Sequence, residues 1–231
     1  MKNLAFLLLF LPILVPAQKV HYVLAPSGLN LRTSSDPSSA KIHTAQYGSQ
    51  LEVLNEKWDK EMKIDGLVGG MVKVQHGEET GYMFSGYISP LPAPDKKMET
   101  EKYVDLLRNA GISYLYSFCR EDYDGVFSVE EAFNVPDYRW QDAFLVAKYM
   151  YDIPKAFHFP GYDGAPGEKT ISNPEKKDYV WSEDLMVIRD SSGKLKEIAY
   201  FRGQEGGGAS VVISMEGEDG QLRVTYGQTA D

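Results

Sequence analysis

Cysteine is nearly absent, because the 231 residues contain only Cys119. No intramolecular disulfide can form, so the fold must depend on packing. Basic residues are also scarce, with 24 against 33 acidic residues and a formal net charge of -9. This balance, without any basic patch, argues against nucleic acid and anionic lipid as primary partners. The 4 histidines show no metal-ligand spacing, and we expect neither zinc nor any other cofactor.

Long hydrophobic runs are missing too, apart from one near the N-terminus. The apolar stretch from Leu4 to Val15 follows Lys2 and ends in small residues at Ala17. It is shorter than the roughly 20 residues that a membrane helix needs, and its pattern is typical of a secretory signal peptide. We predict that residues 1–17 are removed. The mature protein is then expected to be soluble, secreted or periplasmic, with no membrane insertion and no cysteine for lipid attachment.

Residues 20–91 alternate between apolar and polar side chains in short segments separated by turn signals. Alternation with Gly, Pro, Asn and Ser between segments is typical of β-strands joined by tight turns. About five short strands without helical periodicity indicate a small all-β barrel. We predict that residues 55–70, charged and then glycine-rich, form an exposed excursion between two strands.

Five motifs in this region resemble the bacterial SH3 domain family. They are G-L-N-L-R at 28–32, Y-G-S-Q-L-E-V-L at 47–54, M-V-K-V at 71–74, G-Y-M at 81–83 and G-Y-I at 86–88. The resemblance implies an SH3-like barrel that acts as a non-catalytic targeting module for peptidoglycan or its peptides. Met71 stands where the family usually has tryptophan, and our hypothesis is that Trp58 covers the barrel mouth instead.

The resemblance also assigns candidate ligand-binding residues. Asn30 and Arg32 are candidates for polar contacts with a peptide, while Tyr82 and Tyr87 are candidates for apolar walls. Trp58 is the fifth candidate in this half of the chain. A structural alternative remains open, in which Arg32 pairs with a turn carboxylate and both tyrosines belong to the barrel core.

Residues 92–97 are proline-rich, which favours extended backbone and predicts a semi-rigid linker. Beyond it, residues 98–231 predict an α+β domain of no recognised family, with helices packed on an antiparallel β-meander. The segment 112–118 fits either a strand or a continued helix. The predicted elements are helices at 97–110, 128–134 and 138–152, a loop at 155–177, and strands at 179–189, 195–202, 209–215 and 222–226.

Three aromatic residues stand out in the predicted loop at 155–177. Long loops are often functional, and aromatic content argues against simple disorder. We therefore predict that Phe157, Phe159 and Tyr162 bind a ligand or another protein.

Residues 120–131 resemble a calcium-binding EF-hand loop. Asp122, Asp124 and Glu131 fall at ligand positions, but Arg120 occupies the first position, where a carboxylate is needed. The alternative is a solvated turn in which Ser128 caps a short helix. We regard the calcium site as a weak candidate and predict no bound metal.

Cys119 and His158 are the residues that a secreted cysteine peptidase would need. The sequence around Cys119 lacks the aspartate and serine that flank the nucleophile in peptidases joined to bacterial SH3 modules, and a buried, inert cysteine is the simpler interpretation. The sequence therefore favours a non-enzymatic envelope protein that binds cell-wall peptide or a protein partner. The alternative is a cell-wall hydrolase whose catalytic domain is 97–231.

Overall fold

The computed structural model describes residues 20–123, 125–135, 138–216 and 221–230. The chain is mostly β, with two seven-stranded antiparallel sheets and few helices. The predicted signal peptide at 1–17 lies outside the described residues. Within the described ranges, no helix combines the length and apolar character needed to cross a bilayer.

The first sheet has the strand order β3-β2-β8-β7-β4-β1-β9, and it covers the region of the SH3-like motifs. Its strands are β1 (Val20–Val23), β2 (Leu29–Arg32), β3 (Lys41–Ala45), β4 (Gln50–Asn55), β7 (Met71–His76), β8 (Glu79–Phe84) and β9 (Ile88–Ser89). Gly48 and Gly77, both at positive φ, form tight turns before β4 and between β7 and β8. The inward-facing residues of this sheet form a core that includes Val23, Leu31 and Met83.

The excursion between β4 and β7 contains a small hairpin, β5 (Met62–Ile64) and β6 (Leu67–Gly69). The prediction that the excursion 55–70 is exposed is only partly correct, because Leu67 is buried. The turn between its strands requires Gly66, whose φ is +80° and whose Cα lies against the carbonyl of Phe159. The hairpin therefore packs on the second half of the chain.

The second sheet has the order β10-β11-β16-β15-β14-β13-β12. Helices α1 (Thr100–Asn109) and α2 (Trp140–Met150) agree with two of the predicted helices. Because β10 and β11 precede α2, the predicted sequence of helices followed by strands is wrong. The strands are β10 (Leu115–Tyr123), β11 (Val126–Val135), β12 (Gly167–Ser172), β13 (Val180–Arg189), β14 (Leu195–Gln204), β15 (Gly207–Glu216) and β16 (Gln221–Ala230).

Two local predictions in this half are wrong, and one alternative that the sequence left open is decided. The helix predicted at 128–134 lies within β11, which pairs with β10 on one side and β16 on the other. For the segment 112–118, the strand is the correct one of the two alternatives, because it contributes to β10 and does not continue α1. The predicted loop at 155–177 contains β12, an edge strand whose six residues are all exposed.

A second hydrophobic core, distinct from that of the barrel, spans both halves of the chain. Leu67, Met71 and Phe84 of the first half pack in one cluster with the side chains of α1, α2 and the second sheet. The proline-rich segment is docked on this core, because Leu91 is completely buried and the carbonyl of Pro92 accepts a hydrogen bond of 3.1 Å from the Tyr103 hydroxyl.

Candidate functional site

A cleft of about 550 Å³ lies where the barrel meets the start of α2. The barrel supplies Trp58, four apolar side chains and four polar ones, and the second half of the chain supplies a wall of polar groups. The lining residues are His21, Val53, Glu56, Lys57, Trp58, Val72, Ser85, Ile88, Pro90, Tyr138, Arg139 and Asp142. An apolar cleft with a few polar groups is the usual form of a binding site.

Trp58 stands at the mouth of this cleft with 42% of its surface exposed. Its indole rests on Gly70, where a Cβ atom would lie only 2.3 Å from the Trp58 Cγ atom. Gly70 immediately precedes Met71, so Trp58 lies beside the strand position at which the SH3 family usually carries tryptophan. The absence of a side chain at Gly70 therefore allows this aromatic group to lie flat against the barrel.

The opposite wall is held by an ion pair in the first turn of α2. The Arg139 guanidinium donates to both carboxylate oxygens of Asp142, at 2.8 and 2.7 Å, and to the carbonyl of Ile88 at 2.6 Å. Burial opposes the charge on Arg139, but the hydrogen bonds and charge of Asp142 outweigh it and raise the pKa of the guanidinium. Bidentate geometry fixes both side chains, so this wall is preorganised.

Gln141 fixes the same helix to the barrel. Its buried side-chain amide donates to the Val68 carbonyl and accepts from the Val68 N–H, with both distances 3.2 Å. A neighbouring β-strand would form the same two bonds with the N–H and carbonyl of Val68. The Gln141 side chain therefore completes the backbone hydrogen bonding of β6 at Val68. The two sides of the cleft are therefore positioned relative to each other by direct polar contacts.

The other candidates from the SH3 motifs lie away from this cleft. The Asn30 Oδ1 atom accepts a hydrogen bond from the Thr44 hydroxyl, and the Arg32 Nη1 atom donates to the Ser39 carbonyl at 2.6 Å. Tyr82 is the cross-strand neighbour of Arg32. The structure thus brings Asn30, Arg32 and Tyr82 onto neighbouring strands, and Arg32 ties its own turn together through a carbonyl.

Tyr87 occupies a third location. Its hydroxyl donates to the carboxylate of Asp65 in the β5–β6 turn, and its ring packs edge-on against Phe84. Burial and this hydrogen bond raise the pKa of the phenol. Tyr87 therefore ties the small hairpin to the barrel, and the cleft contains only Trp58 among the sequence-derived candidates.

The aromatic loop is packed inside the protein. Phe157 and Phe159 are each 2% exposed, and Tyr162 packs edge-on against Phe159. Burial raises the pKa of Tyr162 to about 12. These three side chains belong to the core shared by both halves, which leaves little of them available to an external ligand.

The weak calcium candidate at 120–131 does not have the backbone of an EF-hand loop in the residues that the structure describes. Residues 120–131 belong to the β10–β11 hairpin, in which Asp122 pairs with Phe127 and Glu131 pairs with Phe118. Four residue steps along the hairpin separate the backbones of Asp122 and Glu131 by about 13 Å, whereas the ligands of an EF-hand loop surround a single ion. Asp124 lies outside the described residues. In the described ranges, no three His, Cys, Asp or Glu side chains form a metal cluster.

Cys119 and His158 do not form a catalytic pair in the described structure. Cys119 is exposed on β10, so the simpler interpretation of a buried cysteine was wrong. It lines a groove on the outer face of the second sheet with Glu121 and Glu130. The Nδ1 atom of His158 lies 3.6 Å from an Asp65 carboxylate oxygen at the barrel hairpin.

Sequence reasoning missed Tyr138, Arg139 and Asp142, which line the cleft from the second half of the chain. The spacing of Arg139 and Asp142 at the start of a predicted helix was a visible signal for an ion pair. Nothing in that spacing indicates that the pair faces the barrel, because the carbonyl of Ile88 that joins it is 51 residues away.

The comparisons with known proteins agree with the first half of the fold. Residues 27–89 match the family model of the bacterial SH3 domain, which confirms the resemblance drawn from the sequence motifs. Searches among curated proteins and among solved structures found no match. The chain thus contains a bacterial SH3 domain, a family that is consistent with cell-wall binding.

Proposed function

We propose that this chain is an exported, non-catalytic binding protein of the cell envelope, whose SH3 domain docks on a cell-wall peptide. The cleft below Trp58 carries the proposal, because it joins an exposed aromatic side chain to apolar barrel walls beside a fixed ion pair. Its size suits a short peptide rather than a flat protein surface. A protein partner is the alternative occupant.

The chemistry of the cleft suits an extended peptide with small apolar side chains. Val53, Val72 and Pro90 offer aliphatic surface, and Trp58 can cover one face of the bound chain. Glu56 and Lys57, both exposed at the mouth, offer one charge of each sign for the ends of a peptide. Aromatic cover with a few polar groups is a frequent means of binding short peptides.

Residues 98–231 act in this proposal as an α+β domain that completes the binding site. The domain boundary falls in the proline-rich segment 92–97, and the second domain contributes the Arg139 wall. We propose a secreted or periplasmic location after removal of residues 1–17. No nucleic acid or membrane partner is needed for this function.

The test is a pulldown of residues 18–231 with insoluble peptidoglycan. Trp58→Ala should reduce the bound fraction roughly tenfold, because removal of an aromatic side chain that the bound peptide covers costs at least about 1.4 kcal/mol. Trp181→Ala is the matched control, since Trp181 is 70% exposed on the second sheet and lies outside the cleft. Equal binding of the wild type and the Trp58 variant would contradict the proposed site.

The same experiment tests the hydrolase alternative. Soluble fragments released from the peptidoglycan during incubation would support an enzyme, while binding without release supports the targeting function. The exposed position of Cys119 favours including a Cys119→Ala variant. Release that disappears in this variant would identify Cys119 as the nucleophile. The absence of both binding and release would favour a protein partner.

A further inference from the structure

A second cavity, of about 390 Å³, lies over the inner face of the second sheet. It is bounded by the start of α1 and the end of α2, and it is separate from the cleft at Trp58. Its floor and walls include Thr100, Glu131, Tyr151, Arg202, Tyr226 and Gln228. Lys97, Glu99 and Asp152 also line it, but salt bridges join Asp152 to Lys96 and Lys97, and Glu99 to Lys102. The cavity therefore combines charged side chains of both signs with aromatic surface.

Arg202 enters this cavity without a partner in the described part of the chain. Its Nε atom is buried and makes no hydrogen bond. The adjacent acid, Glu183, is directly opposite Arg202 on β13, but its carboxylate accepts from the Tyr200 hydroxyl at 2.9 Å and from the Asn173 amide at 2.5 Å. A guanidinium with unused donors in a partly buried place is suited to an anionic group.

Glu131 faces the same cavity from β11. No hydrogen bond or ion pair to its carboxylate is present among the residues that the structure describes. The charge of Glu131, after burial, contributes to the raised pKa of Tyr226. Tyr226 stacks on Tyr151 with ring centroids 4.7 Å apart and an interplanar angle of 1°. The unused carboxylate thus lies beside a flat aromatic surface.

The separation of the two charges limits the length of a ligand. Strands β16 and β15 lie between β11 and β14, and Arg202 is offset by two residues from the position that lies across from Glu131. Three strand spacings and this offset place the two residues about 16 Å apart at the backbone. With both side chains roughly perpendicular to the sheet, a charge-assisted hydrogen bond of about 2.8 Å at each end leaves at most roughly 10 Å for the ligand. This upper limit admits a dipeptide or a tripeptide in extended form.

We propose that this cavity binds a short zwitterionic peptide. The peptide carboxylate pairs with the Arg202 guanidinium, the peptide ammonium pairs with the Glu131 carboxylate, and the aliphatic part of the peptide packs on the tyrosine pair. Ala209 lies between these charges on the sheet and its small side chain leaves room for the ligand. This site is independent of the cleft at Trp58.

The test is isothermal titration calorimetry, which measures the binding of the dipeptides L-Ala-L-Ala and D-Ala-D-Ala to residues 18–231. At least one of them should bind, and the same dipeptide with an acetylated amine or an amidated carboxylate should bind at least roughly tenfold more weakly. These blocked ligands test both charges on the unaltered protein. No binding at millimolar concentration, or equal binding of blocked and free dipeptides, would overturn the proposal.

Variants then assign each charge to its residue. Arg202→Gln should abolish the preference for a free carboxylate, and Glu131→Gln should abolish the preference for a free ammonium. Glu130→Gln is the matched control, because Glu130 is adjacent to Glu131 on the strand and points to the opposite face. A Glu130 variant that loses binding as strongly as the Glu131 variant would show that net charge, and not this site, is responsible.

Discussion

Gln141→Leu should weaken the whole protein, because Gln141 joins α2 to the barrel with two hydrogen bonds in a buried position. Each of these bonds, at 3.2 Å, contributes about 1 kcal/mol net, and a buried backbone group that loses its partner costs about 1–3 kcal/mol. Val68 is only half-buried, so water can satisfy part of its hydrogen bonding. We expect the free energy of unfolding to fall by about 2–4 kcal/mol.

The measurement is urea denaturation followed by circular dichroism. The shared core predicts one cooperative transition, whose midpoint should move to lower urea with an unchanged slope. Gln46→Leu is the control, since Gln46 is exposed on the barrel and its substitution should change stability by less than about 0.5 kcal/mol. Two separate transitions in the wild type, of which Gln141→Leu shifts only one, would refute the inference that the contact couples both sheets.

Three further predictions concern the cleft and the barrel. Arg139→Met should cost about 3 kcal/mol of stability, because it leaves the Asp142 side chain, 1% exposed, without its ion pair, and the double variant with Asp142→Leu should recover most of this loss in the same urea assay. Burial and a neighbouring histidine lower the pKa of His76 below 6.5 in the folded protein. The unfolded chain therefore takes up the proton first, so stability should fall as the pH drops below about 6.5, and His76→Gln should reduce this fall in urea midpoints measured across that range. Gly70→Ala should displace Trp58 and reduce peptidoglycan binding in the pulldown with little change in secondary structure, and unchanged binding would contradict the packing described for this pair.

The barrel could be predicted from sequence because its signals are local. The alternation at Leu29–Arg32 and the turns at Gly48 and Gly77 depend on residues close in the chain, and each appears in the structure where the pattern indicates. The helix predicted at 128–134 failed for the opposite reason. A serine that can cap a helix, here Ser128, is only a weak preference, and the pairing of Val126–Val135 with strands on both sides outweighs it.

The candidate site was harder to predict from the sequence than the fold was. Trp58 was identified because the usual aromatic residue is replaced by Met71, which is a local observation. The opposite wall at Arg139 depends on how α2 packs on the barrel, and no pattern within either segment encodes that contact. For the same reason Phe157 and Phe159 were predicted to bind a ligand, although exposed and buried aromatics have the same appearance in a sequence.

The SH3 domain of this chain cannot be moved to another protein unchanged, because it packs against the second half of the chain. A fragment ending at Pro92 would retain every family motif, but Leu67, Met71 and Phe84 would then lie on its outside, facing water. Such an apolar surface promotes self-association, so the fragment should aggregate or form oligomers when produced alone. A transplant of this domain onto another protein would require polar replacements at these positions, and it would also leave the peptide cleft with only one of its two walls.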